Sequence, residues 1–170
     1  QAMINLKGNI SYGDGKIRLE NLNGRYGDSP FQLEGEINRK NIKTLEYALR
    51  LNFPSFLQSN LKDIPLFENL KFSGPAHVSL NLNGNLDAFK FEHQADLTQV
   101  EYQIPGVLEK RPNALSKFKA KGSVLKNGGV TVDNWSYELG GNHVSGAAQI
   151  PDLDNPEFTI SLAADNFQAY

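Results

Sequence analysis

At 170 residues the chain has room for one ordinary domain with a core, and its hydrophobic share of 39% suits a sheet with a single apolar face. A net charge of −2 provides neither the basic footprint of a nucleic-acid binder nor an acidic tail. With no cysteine there is no disulfide framework and no thiolate metal site, and no apolar run is long enough for a membrane-spanning helix.

Strict alternation of apolar and polar residues dominates, and a period of two marks half-buried strands because successive side chains point to opposite faces. In chain order, residues 17–22 and 31–37 read as strands. Tyr47, Leu49, Leu51 and Phe53 then alternate with Ala48, Arg50 and Asn52. Residues 54–61 are the one helical candidate, with Pro54 early and Phe56, Leu57 and Leu61 sharing a face. Such a short helix cannot form a core alone. Val78, Leu80 and Leu82 alternate with Ser79 and Asn81, and residues 89–97 continue the theme. Residues 104–116, with Pro105, Gly106, Pro112 and Asn113, read as a long loop. Residues 118–125, 130–139 and 144–150 are strands, and Phe158, Ile160 and Leu162 make a last one.

Between these runs lie hairpin signals that supply positive φ: Tyr12-Gly13-Asp14-Gly15, Asn23-Gly24, Tyr26-Gly27-Asp28-Ser29-Pro30, Asn83-Gly84-Asn85, Asn127-Gly128-Gly129 and Gly140-Gly141-Asn142. Their spacing predicts an antiparallel meander. A second recurrent element, apolar-x-Gly-x-apolar, is centred on Gly8, Gly35, Gly84, Gly122 and Gly146. Glycine inside a strand permits a bulge or bend, and repeated bends curl a sheet.

The pattern also repeats. Lys7-Gly8-Asn9-Ile10 recurs as Lys121-Gly122-Ser123-Val124, and Ile17, Leu19, Asn21, Leu22 and Gly27 recur as Val130, Val132, Asn134, Trp135 and Gly140. Gly35, Glu46, Tyr47, Leu49 and Leu51 line up with Gly146, Glu157, Phe158, Ile160 and Leu162. The sequence thus reads as one segment, residues 1–170, with an internal repeat of about 7–53 and 121–164. The abrupt start at Gln1 and the end at Tyr170 suggest a piece of something longer.

No catalytic constellation emerges. His77, His93 and His143 stand singly in strand-like runs, without partners at metal-ligand spacing, and read as surface or groove-edge residues. There is no nucleophile elbow and no glycine-rich phosphate cradle. Glu34 and Glu36 flank Gly35 on one strand face and read as solvated. Asp152, Asp154 and Asn155 could offer oxygens to calcium, but the flanking Pro151 and Pro156 favour a turn. Lys110-Arg111 could meet an anionic head group, although adjacent loop charges are usually just solvated. The composition calls for no cofactor and no metal.

A one-faced sheet must cover its apolar side with a second sheet, with itself in a barrel, or with a ligand. Periodicity alone does not choose among these. Leu82-Asn83-Gly84-Asn85-Leu86-Asp87-Ala88-Phe89, then residues 95–100 and Ile104-Pro105, resemble the AsmA-like envelope proteins, in particular the YhdP and TamB branch. So do residues 17–27 leading to Leu33-Glu34-Gly35, and Lys110-Arg111-Pro112 resembles a basic-proline feature of the YhdP type. The resemblance implies an inner-membrane-anchored protein of a Gram-negative bacterium that extends through the periplasm. Its strands would form an apolar groove carrying phospholipid toward the outer membrane.

The expected fold is therefore mostly β: a strongly curved antiparallel β-meander forming an open groove, with at most one or two short helices. The expected function is non-enzymatic lipid transfer. Leu49, Leu51, Val78, Leu80, Leu82, Val130, Val132, Ile160 and Leu162 would contact phospholipid acyl chains. The other partners would be neighbouring segments of the same longer chain, with the membrane reached only through an anchor outside this segment. Two rivals stand beside it. One is an adhesin or carbohydrate-binding β-sandwich with a closed core. The other is a glycan-directed enzyme using Glu34, Glu36 or Asp96.

Overall fold

A computed structural model describes residues 3–41, 44–57, 71–104, 108–126, 128–151 and 159–165. Among the described residues there is no helix. Ten strands form one sheet in which every neighbouring pair is antiparallel. They are β1 (Met3–Gly13), β2 (Lys16–Tyr26), β3 (Ser29–Asn41), β4 (Thr44–Phe56), β6 (Ala76–Asn85), β7 (Ala88–Asp96), β10 (Ser116–Leu125), β11 (Val130–Leu139), β12 (Asn142–Ile150) and β13 (Thr159–Asp165). Three short strands, β5 (Lys71–Ser73), β8 (Glu101–Ile104) and β9 (Leu108–Lys110), make a second sheet. The large sheet follows sequence order from β1 to β13, and its first and last strands do not meet. It is an open sheet and not a barrel.

Register explains why the sheet has two unlike faces. Residues directly opposite one another across an antiparallel pair share a face. One continuous row crosses all ten strands through Ile10, Leu19, Gly35, Leu49, Leu82, Phe91, Gly122, Val132, Ala148 and Ile160. On the same face a second row runs from Tyr12 and Ile17 through Ile37, Tyr47, Gly84, Phe89, Val124 and Val130 to Ile150. A third joins Leu22, Leu33, Leu51, Leu80, His93, Ala120, Trp135, Gly146 and Leu162. A fourth links Phe53, Val78, Ala95, Phe118, Tyr137, Val144 and Ala164. The opposite face is polar; one of its rows reads Ser11, Arg18, Glu36, Ala48, Asn83, Lys90, Ser123, Thr131, Gln149 and Thr159.

Glycines hold this register. Gly35 and Gly84 have φ of 141° and 155°, and a Cβ on either would collide with the carbonyl of Ala48 or Ala88 on the next strand. Cβ atoms at Gly8, Gly122 and Gly146 would likewise strike Asn21, Thr131 and Ser161 carbonyls. Aromatic rings cover two glycine positions: Phe31 lies over Gly24 and Trp135 over Gly146.

The two ends of the chain share one device. The β2–β3 register shifts between Leu19 and Leu22, and the β11–β12 register shifts between Val132 and Trp135, each time by one extra residue on the earlier strand. The extra residue lies at Glu20-Asn21 and at Asp133-Asn134, corresponding places in the repeated pattern. It belongs to the strand beside each glycine strand. Gly35 stands opposite Leu19, whereas Gly146 stands opposite Trp135, one row away. That displacement is two residues, so both glycines stay on the apolar face.

Several sequence expectations need correction. The 54–61 helix is replaced, as far as it is described, by strand: residues 54–56 extend β4, and 58–61 lie outside the described residues. Pro54 fits there because β4 and β6 lose register between Phe53 and Phe56, where no ladder donor is needed. Asn23-Gly24 is not a turn but the middle of β2, paired with Gln32 and Phe31. Gly84 is also strand, and the turn falls at Leu86-Asp87, where Asn85 Oδ1 accepts hydrogen bonds from Asp87 N at 2.9 Å and Ala88 N at 3.0 Å. The long loop at 104–116 contains β9.

The small sheet packs over one end of the apolar face. Ala76, Val100 and Tyr102 form its buried cluster, joined by Phe56, Phe72, Val78, Leu97, Leu108 and Tyr137. Ser116 Oγ donates to Tyr137 OH at 3.2 Å and lies 3.4 Å from Tyr102 OH, tying the two sheets together.

Candidate functional site

Alternation on every strand brings all nine lipid-contact candidates to the apolar face. Leu49, Leu82, Val132 and Ile160 share one row; Leu51, Leu80 and Leu162 share the next; Val78 and Val130 sit in the flanking rows. Seven are half-buried, shielded by neighbours on adjacent strands. The two on β13 are exposed, Ile160 at 59% and Leu162 at 69%, and at the opposite edge Ile10 and Tyr12 are exposed at 63% and 73%. Covering protein from the same chain is found at the Val78–Tyr137 end, where the small sheet sits. Ten strands at about 4.8 Å spacing give a surface about 43 Å across.

His93 departs from the expectation of a surface or groove-edge residue. It sits inside the third apolar row, between Leu80 and Ala120, with its ring centroid 5.8 Å from that of Phe118. Burial pushes its pKa below the ordinary 6.5. The signal was present in the sequence: Phe89, Phe91, His93 and Ala95 share one parity. The other two histidines lie on the polar side, where His77 Nε2 is 2.9 Å from Asn52 Oδ1.

Lys110 is the second departure. It is 1% exposed, and its Nζ donates to the carbonyls of Leu97 and Thr98 at 2.7 Å and Val100 at 2.5 Å. Burial lowers the ammonium pKa, partly opposed by Asp96. Its charge is therefore spent on fastening the 97–100 turn to β9 and is not presented to a head group. Arg111 is exposed, 3.8 Å from Glu109.

On the polar face the three carboxylates of the enzyme reading already hold partners. Glu36 lies 3.2 Å from both Lys16 and Arg18, whose hydrogen bonds hold its carboxyl below the usual range. Glu34 is 3.2 Å from Arg50, and Arg50 also donates to Asn81. Asp96 accepts from Thr98, which lowers its pKa. None of the three stands as one of a facing acid/base pair. Two shallow hollows lie on this face: about 610 Å³ beside Arg18, Glu34, Glu36 and Arg50, and about 760 Å³ beside Asn81, Lys90 and Glu92. The calcium candidates Asp152, Asp154 and Asn155 lie outside the described residues. No group of three or more potential metal ligands occurs among the described residues.

Comparison with family models, with curated proteins and with solved structures found no match.

Proposed function

We propose that the chain is a non-enzymatic stretch of a lipid-carrying conduit, in which acyl chains lie along the apolar face and head groups remain toward water. The observation that carries this reading is the four apolar rows, the third of which carries His93; among the described residues the small sheet covers them at one end. Burying a methylene contributes about 0.8 kcal/mol, so half of one acyl chain gains about 5 kcal/mol with no directional contact. Such a ligand asks for what the rows supply and needs no catalytic group.

The finer shape belongs to the same proposal: a sheet strongly curled toward its apolar side as a half-pipe. Glycines placed on that side at Gly8, Gly35, Gly84, Gly122 and Gly146, each against a neighbouring carbonyl, support it. So does the resemblance to AsmA-like envelope proteins, which adds a periplasmic location, an anchor elsewhere in a longer chain and a role in building the outer membrane. The two exposed apolar edges, β1 and β13, suit continuation by neighbouring segments. A closed sandwich is the weaker reading, because a sealed core would bury Ile10, Tyr12, Ile160 and Leu162.

Lipid extraction or native mass spectrometry of bacterially produced protein should reveal bound phospholipid. A photo-crosslinker at Leu80 should capture lipid several-fold more than one at Asn81, its neighbour on the opposite face. Equal capture at both positions would defeat the proposal.

A further inference from the structure

The third apolar row contains one side chain that changes charge near neutral pH. His93 occupies a central strand, with four strands of the sheet order beyond it on one side and five on the other. β6 presents Val78, Leu80 and Leu82 around it, and β10 presents Phe118, Ala120 and Gly122. None of these six titrates. Among the described residues the other titratable groups on this side are the phenols of Tyr12, Tyr26, Tyr47, Tyr102 and Tyr137, and the Lys110 ammonium, held by three carbonyls in the small sheet. On β7 itself Glu92 and Gln94 point to the opposite face.

We infer that His93 couples loading of the apolar face to a proton: hydrocarbon covers the middle of the face while the imidazole is neutral, and protonation drives it off. This rests on the lipid reading above. An acyl chain lying across Leu80 and Ala120 must also lie across His93, since the three are consecutive in one row. Covering an imidazolium with hydrocarbon strips its water and supplies no counter-ion, whereas covering neutral imidazole costs far less. Burial by the protein already favours the neutral form, and a bound chain extends that burial. By linkage, each pH unit below the imidazole pKa weakens binding by up to about tenfold.

Trp135, the one tryptophan of the chain, lies in the same row with Ala120 between it and His93, and so reports on that spot. The probe is phosphatidylcholine with brominated acyl chains, whose head group does not titrate between pH 5 and 7.5. The wild-type chain should show Trp135 quenching at pH 7.5, with the half-quenching concentration raised at least about fivefold at pH 5.0. His93→Gln and His93→Phe should quench equally at both pH values, while His77→Gln should keep the wild-type difference. In the wild type, the His93 imidazole should also titrate at lower pH when loaded than when free, read by NMR without any substitution. Quenching that is the same at both pH values in the wild type overturns the inference and leaves lipid binding standing. An unshifted imidazole titration does the same. No quenching at either pH overturns the lipid reading and this inference with it.

Discussion

Gly35 packs tightly enough to be tested by one methyl group. Gly35→Ala drives a Cβ into the Ala48 carbonyl at a φ of 141° and should cost at least about 2 kcal/mol in urea denaturation. Gly13, whose Cβ would meet nothing within 4 Å, should accept alanine within about 0.5 kcal/mol. Lys110→Met keeps the bulk but strands the buried Val100 carbonyl, while those of Leu97 and Thr98 keep the Val100 and Asn113 amides, and should cost about 1–3 kcal/mol. Its distinctive sign would be earlier proteolysis at 97–110, with the strand signal of the large sheet kept in circular dichroism. His93 has a folded pKa below its unfolded value, so the unfolded chain binds the extra proton and stability falls as pH drops through that window. His93→Phe should remove that part of the acid sensitivity between pH 7.5 and 5.5, measured by thermal melts.

At the scale of a strand, parity governs everything. In β11 the extra residue at Asp133-Asn134 lets Val132 and Trp135, three apart, share a face. Deleting Asn134 should leave a regular ladder with both still inward, and the fold should survive. Deleting Ser136 instead turns an aromatic outward and should abolish cooperative melting. The two adjacent polar residues that mark this bulge were visible in the sequence, as was the strand run itself. Turns were harder to place. Asn23-Gly24 carries turn chemistry yet sits under the Phe31 ring, because glycine serves close approach as well as positive φ. Asn85 carries the same chemistry and does make a turn, two residues later than its glycine suggests. Pro54 carries a helix-start signal that the end of a strand satisfies equally well.

For the whole molecule, alternation settled the class before any coordinates: period two over most of the chain, with one polar and one apolar parity, dictates a two-faced antiparallel sheet. It also selected the nine candidate contacts, since parity alone decides which face a strand residue occupies. Alternation is a local property, and it carries no information about what covers a face. Only the tertiary structure decided that the ten strands stay open as a sheet, that a three-stranded sheet closes one end of the apolar side, and that Lys110 turns inward to pin it. Those outcomes depend on contacts between residues far apart in the chain, such as Tyr102 with Ser116 and Tyr137, whose energies no run of neighbouring residues encodes.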